Sequence, residues 1–260
     1  MTTALDKSIE LFQRKFLKNV LHISKFAANC MIYGETGRQP LALTVSKRMI
    51  SFWHRIKFGK QSKMSSIIFQ FMQSLYNNNT FESKWCKKIK SILDEAGISY
   101  YWRLNHVNLN NIKSILSQIN YDTYLQNWST QIQNNPLCVN YRMYKTEFGL
   151  ETYLTLLPYD LRIAFAKFRC GAHYLPISNA RYLEIDDRNL CSLCFEDTGD
   201  EFHYLFNCPA FSLKRSELIK PFYYNMPNRE KYRLLMENRN KKMLIDLSKF
   251  VKYIMYVFRL

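Results

Sequence analysis

A mainly α fold follows from three features of the chain. Only seven glycines and seven prolines punctuate 260 residues, too few for a turn-rich β protein. Leucine, isoleucine, lysine, phenylalanine and tyrosine are abundant, and apolar residues recur at spacings of three and four over long segments. A hydrophobic content of 47%, with 15% aromatics, is enough to fill a sizeable core.

Residues 3–21 read as a basic helix with Leu5, Ile9, Phe12, Phe16 and Val20 on one face. The stretch YGETGRQP, from Tyr33, reads as a turn. Over 41–58 an apolar stripe runs through Leu41, Val45, Met49, Phe52, Trp53 and Ile56, while Arg48 and Arg55 lie two turns apart on another face, either a phosphate-facing ridge or a solvated one. Amphipathic segments follow at 64–76, 83–96 and 108–132, separated by NNNT, the Gly97 stop and NHVN. QNNPLCVNYR, near 133–142, combines Asn, Pro and a loss of helical period, which places a domain break between 1–135 and 136–260. Beyond it the reading gives a helix at 158–169, an irregular stretch from Asn179 to Cys194, a short helix at 200–206, and helices at 209–223, 228–236 and 240–259. The last aligns Leu244, Leu247, Val251, Ile254 and Phe258 and keeps Lys249 and Lys252 outside.

The formal charge is +16, a field that attracts polyanions at long range, so nucleic acid leads the expected partners. The charge is uneven. Residues 1–60 carry eleven Lys/Arg against three acids, and 201–260 twelve against five, whereas 151–200 carry five against eight. The N-terminus has charges throughout and no apolar run of signal length, and no stretch of about eighteen apolar residues would span a membrane. The expectation is an intracellular protein, nuclear or cytoplasmic, with no membrane and no small-molecule substrate. Seven cysteines, an odd number without a secretion signal, argue for reduced thiols.

The chemistry-bearing stretch is CSLCFEDTGDEFHYLFNC. Its spacing, Cys191-x2-Cys194-x8-His203-x4-Cys208, offers four ligands to one tetrahedral ion. A Cys3His set is closed, with no position for a catalytic water, which makes a single structural Zn2+. The fold class is then a helical array followed by a small Cys3His zinc knuckle, 188–210, embedded in helices. A helix over 200–206 would present His203, and Pro209 would stop it so that Cys208 can turn back, since residues five apart on an unbroken helix point about 140° away from each other. Asp200 and Glu201 suit the first turn, Gly199 a sharp entry, and Leu205 and Phe206 an apolar cover. The bland alternative is an accidental meeting of small buried cysteines and a core histidine. Cys170 and His173 form a possible substitute pair; Cys30, Cys86 and Cys138 read as buried small residues; His22, His54 and His106 carry no signal.

The succession YGETGRQPL, RMISFWHRIKFGK, WCKKIKSILDEAGIS, FRCGAHYLPISNARY and CSLCFEDTGDEFHYLFNCPAF resembles the region downstream of the polymerase in non-LTR retrotransposon reverse transcriptases, over nearly the whole chain. The resemblance implies a zinc knuckle on Cys191, Cys194, His203 and Cys208. Cys170 departs from the small polar residue expected there. A polymerase or nuclease core is not expected, because magnesium-holding carboxylates are missing: the first ninety residues hold only Asp6, Glu10, Glu35 and Glu82, and Asp186-Asp187 reads as turn solvation. The expected function is therefore a non-enzymatic accessory region that binds RNA or single-stranded DNA, with a reverse-transcriptase core supplied in trans as a further partner. Its candidate nucleic-acid contacts are Arg48, Arg55, Arg162, Lys167, Arg169, Lys214 and Arg215, with Arg162 and Arg169, seven apart, forming a clamp on one helix face. The rival is a structural or interaction remnant with orphaned apolar faces on 3–21 and 240–259.

Overall fold

The apolar spacings become helices. A computed structural model describes residues 3–59, 63–78, 80–177 and 190–258. In chain order the helices are α1 (Thr3–Val20), α2 (Asn29–Thr36), α3 (Leu41–Phe58), α4 (Met64–Asn77), α5 (Lys84–Glu95), α6 (Leu109–Asn134), α7 (Tyr141–Tyr144), α8 (Tyr153–Leu156), α9 (Tyr159–Arg169), α10 (Ser212–Leu218), α11 (Pro221–Tyr224), α12 (Arg229–Met236) and α13 (Lys241–Val257). Among the described residues the only extended pairings are two isolated bridges, Thr36 with Leu150 and Leu190 with Thr198. The fold is mainly α, and no described helix is long and apolar enough to cross a membrane.

The chain divides into two units: Met1–Gln13 with Gln39–Asn127, and Arg14–Arg38 with Trp128–Leu260. The break expected at 135 thus falls at 127, and residues 14–38 belong with the C-terminal unit. In unit 1, Ile50, Trp53 and Ile56 of α3 meet Phe69 of α4, Cys86, Ile89 and Leu93 of α5, and Ile112 and Leu116 of α6 in one buried cluster. Trp102 stacks on Trp53 with centroids 6.2 Å apart, and its indole N–H donates to Asn77 Oδ1 at 3.1 Å. Local capping fixes the ends. Ser83 accepts from the Cys86 amide at 3.2 Å to start α5, and Gly97, at φ +64°, stops it. The free amides that open α3 are met by side chains: Leu41 N–H donates to Gln13 Oε1 and Ala42 N–H to Glu10 Oε1, at 3.1 and 2.7 Å.

Unit 2 is arranged around a charge. Arg169, the last residue of α9, is buried. Its Nε and Nη2 donate to the two carboxylate oxygens of Glu35 at 2.8 and 3.0 Å, and Nη1 donates to Met236 O at 2.8 Å. Glu151 adds a second carboxylate at 3.3 Å. The guanidinium also lies over the rings of Tyr144, Tyr153 and Phe165, 4.7 to 5.7 Å from their centroids. Burial opposes the charge, but Glu35 and Glu151 outweigh it and hold the group firmly protonated. The sequence pattern makes Arg169 half of a phosphate clamp; the structure commits its donors inside.

Glu35 sits on α2, where the sequence suggested a turn. Gly34 and Gly37 are there for close approach: a Cβ on Gly34 would meet Tyr141 Oη at 2.6 Å, and Gly37, at φ +60°, ends the helix where a Cβ would lie 2.5 Å from Leu150 N. The two predicted orphan faces part company. On α13, Leu244, Leu247, Val251 and Ile254 are buried in packing that includes α9, so that face has its partner. On α1, Leu17 is buried, as is Leu21 just past its end, while Phe12, Phe16 and Val20 remain 70, 57 and 54% exposed; the packed face is rotated from the predicted stripe.

One lysine in unit 1 makes a pH-dependent contribution. Lys57 Nζ lies over the rings of Trp53 and Phe58 at 5.3 and 5.0 Å and donates to Tyr101 O at 3.3 Å and to Trp102 O. Burial lowers the ammonium to about 8. Between that value and the ordinary 10.5 the folded state binds fewer protons than the unfolded state, so the Lys57 contribution favours folding increasingly as pH rises through this window. Urea titrations of Lys57→Met should show a flatter stability-against-pH slope there than the parent protein.

Candidate metal centre

The ligand-bearing segment is folded by backbone bonds before any ion is considered. The Leu190–Thr198 bridge closes a loop, within which Cys191 N–H donates to Asp197 O at 2.8 Å and Phe195 N–H to Cys191 O at 2.9 Å. The Leu193 amide points at Cys191 Sγ, 3.4 Å away. This tight turn, with Phe195 at φ +60°, places Cys191 and Cys194 on the same side. Gly199 is required by proximity, because a Cβ there would lie 2.4 Å from Tyr204 Oη and 3.2 Å from Cys191 Cα.

The second half is built differently from expectation. Asp200 Oδ1 caps the entering turn by accepting from His203 N–H at 2.8 Å. His203–Asn207 then forms a π turn, closed by Cys208 N–H donating to His203 O at 2.8 Å. The wide turn, rather than a helix stop, brings Cys208 back to His203: five residues make one turn where an α-helix would overshoot. Widening leaves carbonyls without helical partners, and Arg215 from α10 fills them. Its Nε donates to Leu205 O at 2.8 Å, and its Nη2 to Cys208 O at 2.7 Å and Tyr204 O at 3.4 Å. Arg215 is therefore a buried brace for the turn, not the nucleic-acid contact expected from sequence.

The four predicted ligands come together. Cys191 Sγ, Cys194 Sγ, Cys208 Sγ and a ring nitrogen of His203 all lie within 4.8 Å of one another, three of the residues buried and Cys194 half-buried. Cys191 Sγ and Cys208 Sγ are 3.8 Å apart, and Cys194 Sγ is 3.3 Å from His203 Nε2. A tetrahedral ion with bonds of about 2.3 Å to sulfur and about 2.0 Å to nitrogen demands edges of about 3.8 Å and about 3.5 Å. The set fits. His203 Nδ1 is buried without a hydrogen bond, and Asp197 Oδ2 faces it at 3.7 Å, placed to orient the ring if Nε2 is the ligand atom.

The electrostatics point the same way. Burial raises the Cys191 thiol, but the neighbouring Tyr204 hydroxyl and the Leu193 and Cys194 amides bring it down to about 6. Burial, against the Ala210 amide and with the Cys191 sulfur alongside, pushes Cys208 up to about 12. Two sulfurs this close do not both ionise unaided; a divalent cation lets them.

Cys170 and His173 stand apart from this group. His173 Nε2 is 2.8 Å from Glu201 Oε1, and Asn140 donates to the other oxygen of the same carboxylate. Glu201 thus anchors the Cys3His segment to distant parts of unit 2, a role with no local sequence signal. Arg48 and Arg55 are exposed beside a groove of about 550 Å³ that also holds Phe52, with Arg55 over the Phe52 ring at 5.1 Å. Arg162 is half-buried and donates to Leu154 O at 3.1 Å, Lys167 is half-buried, and Lys214 pairs with Glu217 at 2.5 Å. With Arg169 internal, the Arg162/Arg169 clamp does not form. Asp186-Asp187 lies outside the described residues.

Compared with known proteins, the chain matches no family model, no curated protein and no solved structure. The geometry itself makes the test. Native mass spectrometry should find one divalent ion per chain, lost when Cys191→Ser is combined with Cys194→Ser; an unchanged stoichiometry would remove the assignment. Chelation should raise amide exchange around 190–211 while leaving α3–α5 protected.

Proposed function

We propose that this chain is a zinc-binding, nucleic-acid-binding accessory region of a non-LTR retrotransposon reverse transcriptase, without polymerase or endonuclease catalytic cores. The observation that carries the reading is the clustering of Cys191, Cys194, His203 and Cys208 within 4.8 Å of one another, in a chain whose segments resemble that family in order. Three sulfurs and one imidazole suit Zn2+, and four protein ligands leave no open position, so the ion would be structural. It would tie the 191–194 turn to the π turn at two points.

Nucleic-acid binding in this reading rests on charge, and the buried arginines narrow its location. The segment 190–208 contains Glu196, Asp197, Asp200 and Glu201 and no lysine or arginine, and three thiolates on Zn2+ leave about −1. The knuckle shapes its surroundings without attracting phosphate. Exposed cations elsewhere do that, led by Arg48 and Arg55, whose helix α3 has no acid along its length. The Phe52 ring, 46% exposed between them, offers a stacking face. RNA or single-stranded DNA is the partner, with a reverse-transcriptase core in trans as a second one.

The exposed Phe12, Phe16 and Val20 on α1 favour a second reading, in which the chain is a non-catalytic scaffold remnant whose zinc only staples. Salt separates the two. If four to six phosphates are neutralised on a single strand, log K falls against log salt with a slope of roughly −3 to −4. Arg48→Ala with Arg55→Ala should flatten that slope by about 1.4. Binding indifferent to salt, or none at low salt, leaves the scaffold reading.

A further inference from the structure

We propose that Cys30 and Cys138 form an oxidisable thiol pair, which a peroxide converts into a disulfide fastening α2 to the body of unit 2. Their sulfurs lie 3.6 Å apart, across 108 residues of sequence. Cys30 is 3% and Cys138 0% exposed. A disulfide needs about 2.05 Å, so the sulfurs must close by roughly 1.5 Å, a shift within reach of side-chain torsions at the first turn of α2 and at the end of the 3-10 turn Pro136–Cys138.

Two further observations separate this pair from inert core cysteines. The Cys138 hydrogen bond lowers the pKa of the Cys30 thiol, against burial, with help from the Met31 amide at the start of α2, whereas Cys138 is held high and keeps its proton. That asymmetry defines an attacking sulfur and a resolving one. A cavity of about 430 Å³ also lies close by: its walls include Ala28, two residues before Cys30, Leu137, next to Cys138, and Cys170. This is ample for a peroxide, whose size is close to that of water.

The chemistry balances without a cofactor. The Cys30 thiolate attacks one peroxide oxygen; the O–O bond breaks, giving a sulfenic acid and a hydroxide that takes up the proton Cys30 released. The Cys138 sulfur then attacks the sulfenic sulfur, the S–O bond breaks, and oxygen leaves as water with the Cys138 proton. Two thiols and one hydrogen peroxide become one disulfide and two waters. Each sulfur loses one electron and each oxygen gains one. The cross-link would restrict the unfolded chain across a long loop and hold α2, with Glu35, in place. This inference is independent of the nucleic-acid reading.

The test uses the full, metal-loaded chain titrated with hydrogen peroxide up to the highest dose that releases no metal, followed by alkylation and peptide mapping. The expected result is a linked peptide joining Cys30 to Cys138, and a urea midpoint for unit 2 that rises on oxidation and returns with dithiothreitol. In Cys30→Ser the linked peptide and the midpoint rise should both vanish. Absence of the Cys30–Cys138 peptide at that dose, pairing of Cys138 with Cys170 instead, or a cross-link that leaves the midpoint unmoved would overturn the proposal.

Discussion

A buried guanidinium organises the C-terminal unit. Taking one charge out of water costs on the order of several kcal/mol unless a partner and hydrogen bonds offset it, and Arg169 is offset completely: two bonds to Glu35, one to Met236 O, a second carboxylate from Glu151, and three ring faces. Satisfying it fixes α2, α7, α8, α9 and the end of α12 at once. It also explains the chain division, because residues 14–38 carry the carboxylate that Arg169 needs. Trp128 and Tyr141 reinforce that placement by donating to Cys30 O and Met31 O of α2, at 2.8 and 3.3 Å.

The candidate metal-binding segment is tied to this frame. Glu201, held by Asn140 and His173, attaches the segment to the frame, and Arg215 braces the π turn from α10. The two arginines buried among the described residues of unit 2 therefore do related work: each supplies donors where the backbone or a carboxylate would otherwise be left unmatched. Their removal from the surface is why the nucleic-acid reading moves toward α3, where arginines flank an exposed ring in a helix free of acids.

Much of this was legible in the sequence, where a helix has one wet and one dry face. α3 begins and ends at the predicted residues because Pro40 and Gly59 bracket a clear period, and α4, α5, α9, α12 and α13 lie within a residue or two of expectation. The cluster of Cys191, Cys194, His203 and Cys208 was legible because its spacing is short. α2 was not, for a physical reason: Cys30 through Glu35 are all buried, so no alternation survives, and its glycines imitate a turn. Glu35 meets a partner 134 residues away, which no local pattern reports. Arg169 and Arg215 looked like surface cations because composition cannot distinguish a charge facing water from one facing carbonyls. The segment 209–223 was read as one helix although Pro221 announced the new start at α11.

The central claim, that the Arg169–Glu35 contact holds unit 2 together, is tested most directly by amide hydrogen exchange on Glu35→Gln, which removes the charge and keeps the shape. The account predicts faster exchange in α2, α7, α8, α9 and α12 together, with α3–α5 of unit 1 unchanged. Exchange altered only within α2, or not at all, would contradict it.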